Sequence, residues 1–202
     1  MTPHGFNGHI LGRALGAMAG SALLLTACGQ PEPAPGPAPD APPAESADAN
    51  TLTPEGLGEI RIGMSRDDLE RAVGALPPEA SAVNDPMVCT YGRPASAPEN
   101  VLVMLENDRV TRITLIRESP VRTADDIGLG DEAARVLETL GSRAETLPHK
   151  YVEAPAQYID VWTSAGPSSP DARGYRYEVN AEGRVSLIHA GTPSILYVEG
   201  CA

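Results

Sequence analysis

"GEIRIGMSRDDLERAVG" at residues 58–74 and "ADDIGLGDEAARVLETLG" at 124–141 follow one plan. Each holds an Ile-Gly pair, then a small residue, then acids, then an apolar stripe at helical spacing, then a glycine. In the first stretch Ser65 stands three residues before Asp68, a capping-box-like start, and the acids lie where a helix dipole favours them. Leu69, Ala72 and Val73 form one apolar face, and Gly74 suits the stop. In the second stretch Ala133, Val136, Leu137 and Leu140 repeat the stripe and Gly141 repeats the stop.

Strand-like runs follow both helices. In the first half these are "MVCTY" (87–91), "VLVMLE" (101–106) and "RVTRITLIR" (109–117), with Asn107-Asp108 as a hairpin-turn signal. In the second half they are "YIDVWT" (158–163), "YRYEV" (175–179) and "RVSLIHAG" (184–191), with a turn over 180–183. The hairpins "ENDRVTRITLI" and "VNAEGRVSLIHA" look like two copies of one unit. The fold class that follows is α+β, with two helix-plus-antiparallel-sheet repeats packed as one globular unit, 51–122 and 123–202. We favour repetition over a chance likeness of two helix–hairpin units.

The region ahead of the repeats has a different composition. Residues 14–25, "ALGAMAGSALLL", are an apolar run of signal-peptide length, too short for a comfortable span of about 20 residues. Leu25-Thr26-Ala27-Cys28 resembles the lipobox of bacterial lipoproteins. The resemblance implies a signal peptide over 1–27, diacylation of the Cys28 thiol, cleavage before it and acylation of the new N-terminus. The competing reading is an ordinary secretory signal with a chance cysteine. Several acyl chains hold far better than one, at roughly 0.8 kcal/mol per buried methylene. Gly29 stands where an inner-membrane retention signal would have Asp, which directs the expectation to the outer membrane, facing the periplasm, if the cell is Gram-negative. Residues 28–50 then carry the acylated cysteine and a Pro/Ala-rich tether, expected to be extended and solvated.

The net charge of −12 argues against a nucleic-acid partner, because phosphate binding needs clustered cations. Residues 51–202 carry twenty-three acids against fourteen bases, and Lys150 is the only lysine in the chain. Ile62-Gly63-Met64-Ser65, followed by a short amphipathic helix and Gly74, resembles the opening of BamE-type lipoproteins and of tandem-repeat proteins like β-lactamase inhibitory protein. That resemblance implies helices paired with antiparallel strands, in two repeats for the inhibitor type. "LPHKYVEAPAQYIDVW" and "YVEGC" are also similar to secreted bacterial proteins of unassigned role.

With Cys28 acylated, Cys89 and Cys201 remain, an even pair in an oxidising compartment. A disulfide between them is favoured over two free thiols.

No H-E-x-x-H, C-x-x-C, G-x-S-x-G or P-loop pattern occurs, so neither a metal nor a cofactor is expected and an enzyme is disfavoured. Asp67, Asp68, Asp125, Asp126, Asp131 and Glu132 sit near helix starts, where acids serve more often as capping and dipole partners than as metal ligands. His149 and His189 could face one another with Asp160, and a Ser or Cys nucleophile would need such a base close by.

Tyr158, Asp160 and Trp162 share one strand face by period two, and so do Tyr175 and Tyr177. Two readings stay open. These aromatics either fill the core of the second half or, with His149, Lys150 and Tyr151, form a binding patch. The segment 147–155 is bracketed by prolines and is expected to be a loop suited to recognition. The leading expectation is a lipid-anchored envelope protein that binds an envelope protein partner through its sheet face and the 147–155 loop, as an assembly factor or enzyme inhibitor. A glycan or small-ligand module using the Tyr/Trp patch is the alternative, and a hydrolase comes third.

Overall fold

The computed structural model describes residues 48, 50–77, 89–163, 166–169 and 171–201. The expected signal peptide, Cys28 and nearly all of the tether lie outside the described residues. In chain order the first elements are β1 (Thr51–Thr53), β2 (Gly56–Leu57), β3 (Ile60–Arg61), α1 (Arg66–Val73), β4 (Cys89–Gly92), β5 (Val101–Glu106) and β6 (Arg109–Leu115). Then come β7 (Arg122–Thr123), α2 (Ala133–Leu140), β8 (Glu145–Pro148), β9 (Gln157–Trp162), β10 (Gly174–Val179) and β11 (Val185–Gly191). The chain has mixed α+β structure.

Seven strands make one antiparallel sheet in the order β4-β5-β6-β11-β10-β9-β8. Its middle is the pairing of β6 with β11, where Thr114 stands opposite His189 and Ile113 opposite Ala190. The turn between β5 and β6 is the expected Asn107-Asp108, both residues at positive φ, as a tight two-residue hairpin requires. The remaining short strands form a small sheet, β3-β2-β1-β7, that periodicity did not announce. Runs of two or three residues are too short to show alternation, and β1 finds β7 in parallel across about seventy residues of chain.

The same backbone contacts recur in both halves. Gly63 N–H donates to Val110 O at 2.7 Å and Val110 N–H to Met64 O at 3.0 Å; Gly130 N–H donates to Val185 O at 2.8 Å and Val185 N–H to Asp131 O at 2.9 Å. Two residues beyond Met64 and Asp131, Arg66 N–H reaches Asp108 O and Ala133 N–H reaches Gly183 O. These contacts equate Gly63 with Gly130, at φ +90° and +84°, a region that favours glycine. The counterpart of Ile62-Gly63 is therefore Leu129-Gly130. Ile127-Gly128, the expected match, belongs to the preceding turn, where the Ile127 N–H donates to Thr123 Oγ1. The helix starts also differ. The Ser65 hydroxyl accepts the Asp68 N–H as expected, whereas Glu132 makes no side-chain cap.

One face of the long sheet carries Val103, Leu105, Ile113, Ile188, Tyr177, Val179 and Ile159. They pack with Leu69 and Val73 of α1, Val136 and Leu140 of α2, and Leu52, Leu57 and Ile60 of the small sheet, forming the core. The other face is polar, and its residues line up. Across β6, β11, β10 and β9 the register sets Thr114, His189, Arg176 and Asp160 side by side. A C-terminal strap closes over this face. It begins with a 3-10 turn at Pro193–Leu196, stopped at its start by Thr192, whose hydroxyl accepts the Ser194 N–H.

Candidate functional site

The strap is held by two guanidinium groups rising from the sheet. Arg112 Nη1 donates to Ser194 O at 3.0 Å and Tyr197 O at 2.8 Å, and Arg176 Nη1 to Leu196 O at 3.2 Å. Arg176 also makes a two-pronged contact with Asp160, at 2.8 and 2.7 Å, with both side chains buried. The planar fork of arginine allows one side chain to serve a carboxylate and a carbonyl together. Burial, with Arg176 nearby, lowers the Arg112 guanidinium to about 10, so it stays charged at neutral pH. Between the two arginines His189 is buried and hydrogen-bonded at Nδ1 to Thr114 Oγ1, 2.9 Å. Burial first, then Arg112 and Arg176, push its imidazole well below its ordinary value. It is neutral.

The strap ends at the Cys89–Cys201 disulfide, with Cα atoms 5.5 Å apart, as expected from the count of cysteines. That bond ties the last residues to β4, an edge of the long sheet. Gly200 passes so close to Tyr91 that a Cβ there would lie 2.2 Å from its ring. Ser194 Oγ also hydrogen-bonds to Glu106 on β5.

At the opposite end of the sheet a second segment stands out. Leu147 and Pro148 belong to the edge strand β8, so the loop expected over 147–155 starts at His149. His149 Nδ1 accepts the backbone N–H groups of Tyr151 and Val152 at 3.1 Å, and its Nε2 lies 3.2 Å from Glu178 Oε1. That pattern assigns the ring proton to Nε2. The ring stacks on Tyr158 at 4.7 Å. His149 thus fixes the loop from beneath while Tyr151 and Val152 point outward.

The strap and this loop meet. The Tyr151 hydroxyl donates to Glu199, and Lys150 Nζ lies 3.5 Å from Glu199 Oε1 and 4.8 Å from the Tyr151 ring centre. The Glu199 carboxyl is held below its ordinary range by the Tyr151 hydroxyl first and then by Lys150. The Tyr151 hydroxyl first, and Glu199 after it, raise Lys150. These side chains are exposed, and water screens their pairing.

The large hydrophobics exposed among the described residues are Tyr151 (60%), Val152 (40%), Tyr197 (48%) and Val198 (36%). They lie on these two segments alone. Both segments read Tyr-Val-Glu, at 151–153 and 197–199, a repeated tripeptide that marks the place in the sequence. Periodicity analysis passes over it, because neither copy belongs to a helix or strand.

The seven residues expected as one patch separate. His149, Lys150 and Tyr151 come together at this junction. Tyr175 and Tyr177 are buried on the core face, where the Tyr175 hydroxyl donates to Leu52 O at 2.8 Å. Tyr158 is buried on the polar face, under the Arg176 guanidinium at 4.5 Å. Trp162 is half-buried and lies across Gly174. A single aromatic patch is therefore corrected. Period two groups residues within a strand, but the pairing of Tyr158 with Glu178 puts it on the sheet face opposite to Tyr175 and Tyr177. Nor do His149, His189 and Asp160 assemble, since each is engaged elsewhere, with Glu178, Thr114 and Arg176 respectively. Among the described residues no group of three or more His, Cys, Asp or Glu could hold a metal ion. No protein-family model matches the chain, and neither a curated protein nor a solved structure matches it.

Proposed function

We propose that this chain is a lipid-anchored cell-envelope protein that binds another protein where its two Tyr-Val-Glu segments meet. The observation that carries the reading is the concentration at that junction of the large hydrophobics exposed among the described residues. Tyrosine at an exposed, rigidly supported position suits protein recognition, because its ring gives area and its hydroxyl gives direction. The strap covers the polar face of the central strands and the core covers the other, so the sheet-face contact expected from the sequence gives way to the loop and the strap. The lipobox-like Leu25-Thr26-Ala27-Cys28 supports the anchor, and the acidic balance of the chain supports a partner other than nucleic acid.

The recurrence of the Gly63 and Gly130 contacts supports descent of the folded part from a tandem helix–hairpin repeat. A glycan reading would need a stacking platform, and Tyr158, Tyr175 and Tyr177 are buried.

The test is co-purification from envelope extracts with full-length protein and a Tyr151→Asp/Val198→Asp variant. The expected result is a stoichiometric protein partner retained by the first and lost by the second. Equal retention by both, or retention of glycan alone, contradicts the reading.

A further inference from the structure

Lys150 is the only lysine in the chain, and it rests between an aromatic ring and a carboxylate of the proposed docking surface. An aromatic face beside a carboxylate is the chemistry that recognises a cationic side chain. We propose that the Tyr151 ring and the Glu199 carboxylate form a receiving site for an arginine of the protein partner, with Lys150 as its resident occupant.

Three features carry this. The site is built, because the Tyr151 hydroxyl donates to Glu199 and orients the carboxylate beside the ring. His149 holds the Tyr151 backbone from below. The occupant fits loosely: Lys150 Nζ stands 3.5 Å from Glu199, longer than the roughly 2.7–2.9 Å of a good charged hydrogen bond. It is a point charge on a flexible stem, exposed to water, and it gives way at little cost. A guanidinium would do both jobs at once, stacking flat on the ring and meeting both carboxylate oxygens.

The surroundings also select a cation. The loop and strap carry Glu153 and Glu199 against Lys150 alone. Residues 51–202 carry nine more acids than bases, so a second copy of this chain would meet like charge. A zwitterionic lipid headgroup offers a cation too, but it brings its phosphate against the same acids.

The inference rests on the protein-binding reading above, yet the two fail separately. A partner can be retained through the apolar residues with no arginine in this site.

The test uses full-length protein in detergent with its tyrosines replaced by 3-fluorotyrosine. Six tyrosines give a small set of fluorine resonances, that of Tyr151 assigned by substitution. The probes are acetyl-Leu-Arg-Val-amide, its citrulline analogue of the same shape without charge, and phosphocholine. The expected result is a Tyr151 shift with the arginine peptide alone. Lys150→Ala should tighten that binding about two- to fivefold by vacating the site, and Glu199→Gln should weaken it. An equal response to the citrulline peptide, no response to either peptide, or a response to phosphocholine as large overturns the proposal. So does weaker or unchanged binding in Lys150→Ala, which would make the lysine a contact or a bystander.

Discussion

The two faces of the long sheet solve burial in opposite ways. The face toward the helices packs Ile113, Ile188, Tyr177 and Val179 into one continuous apolar core. The face toward the strap buries Arg112, His189, Arg176 and Asp160, and the arginines use their donors to hold the backbone of the strap. An apolar face tolerates gradual trimming, because each methyl contributes its own share. A polar face is conditional: every buried charge depends on a particular partner, and losing one strands the other. The apolar face supplies stability. The polar face supplies a fixed path for a segment with little regular structure, and that path delivers Tyr197, Val198 and Glu199 to the loop.

The sharpest way to break this contrast is Arg176→Ala, which leaves Asp160 buried without its partner. It should cost about 3–5 kcal/mol in urea unfolding, while Arg176→Met with Asp160→Leu should recover much of the loss. If both variants lose the same amount, the pair is not a conditional unit. Next in size is the strap's covalent end. Cys89→Ser/Cys201→Ser opens a loop of 112 residues and should lower stability by about 2–4 kcal/mol. It should also weaken partner retention, because Glu199 lies two residues from the freed cysteine.

The polar face should further show a pH dependence that the apolar face cannot. His189 is held neutral in the fold, its imidazole well below the ordinary value. The unfolded chain therefore takes up a proton that the native state refuses as pH falls below about 6.5. This contribution is present above that pH and is lost on acidification. Between pH 7.5 and 5.5 the wild type should lose about 1.4 kcal/mol more than His189→Asn, read from parallel urea titrations. A matching loss in both proteins would remove His189 from the account. The smallest effect belongs to the apolar face, where Ile188→Val should cost about 0.5–1.5 kcal/mol and leave binding unchanged.

Elements with a clear period were legible in the sequence, and elements fixed by distant partners were not. The stripe Ala133, Val136, Leu140 marks α2, and the Asn107-Asp108 turn marks the β5–β6 hairpin. The small sheet escaped because its strands are only two or three residues long and β1 is completed by β7 from far along the chain. The candidate site was half legible. The loop drew notice through its prolines and tyrosine, and the disulfide through cysteine counting. The strap did not, because nothing local shows that Arg112 and Arg176 reach its carbonyls. Those contacts span more than eighty residues for Arg112. Period two relates Tyr175 to Tyr177 and Tyr158 to Trp162 only within each strand, while register between strands decides which face each occupies.

The central claim is that recognition occurs where the two Tyr-Val-Glu segments meet. Site-specific photocrosslinking in intact cells tests it most directly, with a photoreactive residue placed at Val152, at Val198, or at the exposed Glu138 of α2. The account predicts that Val152 and Val198 capture the same protein and that Glu138 does not. Capture from Glu138 with none from Val152 or Val198 would contradict it.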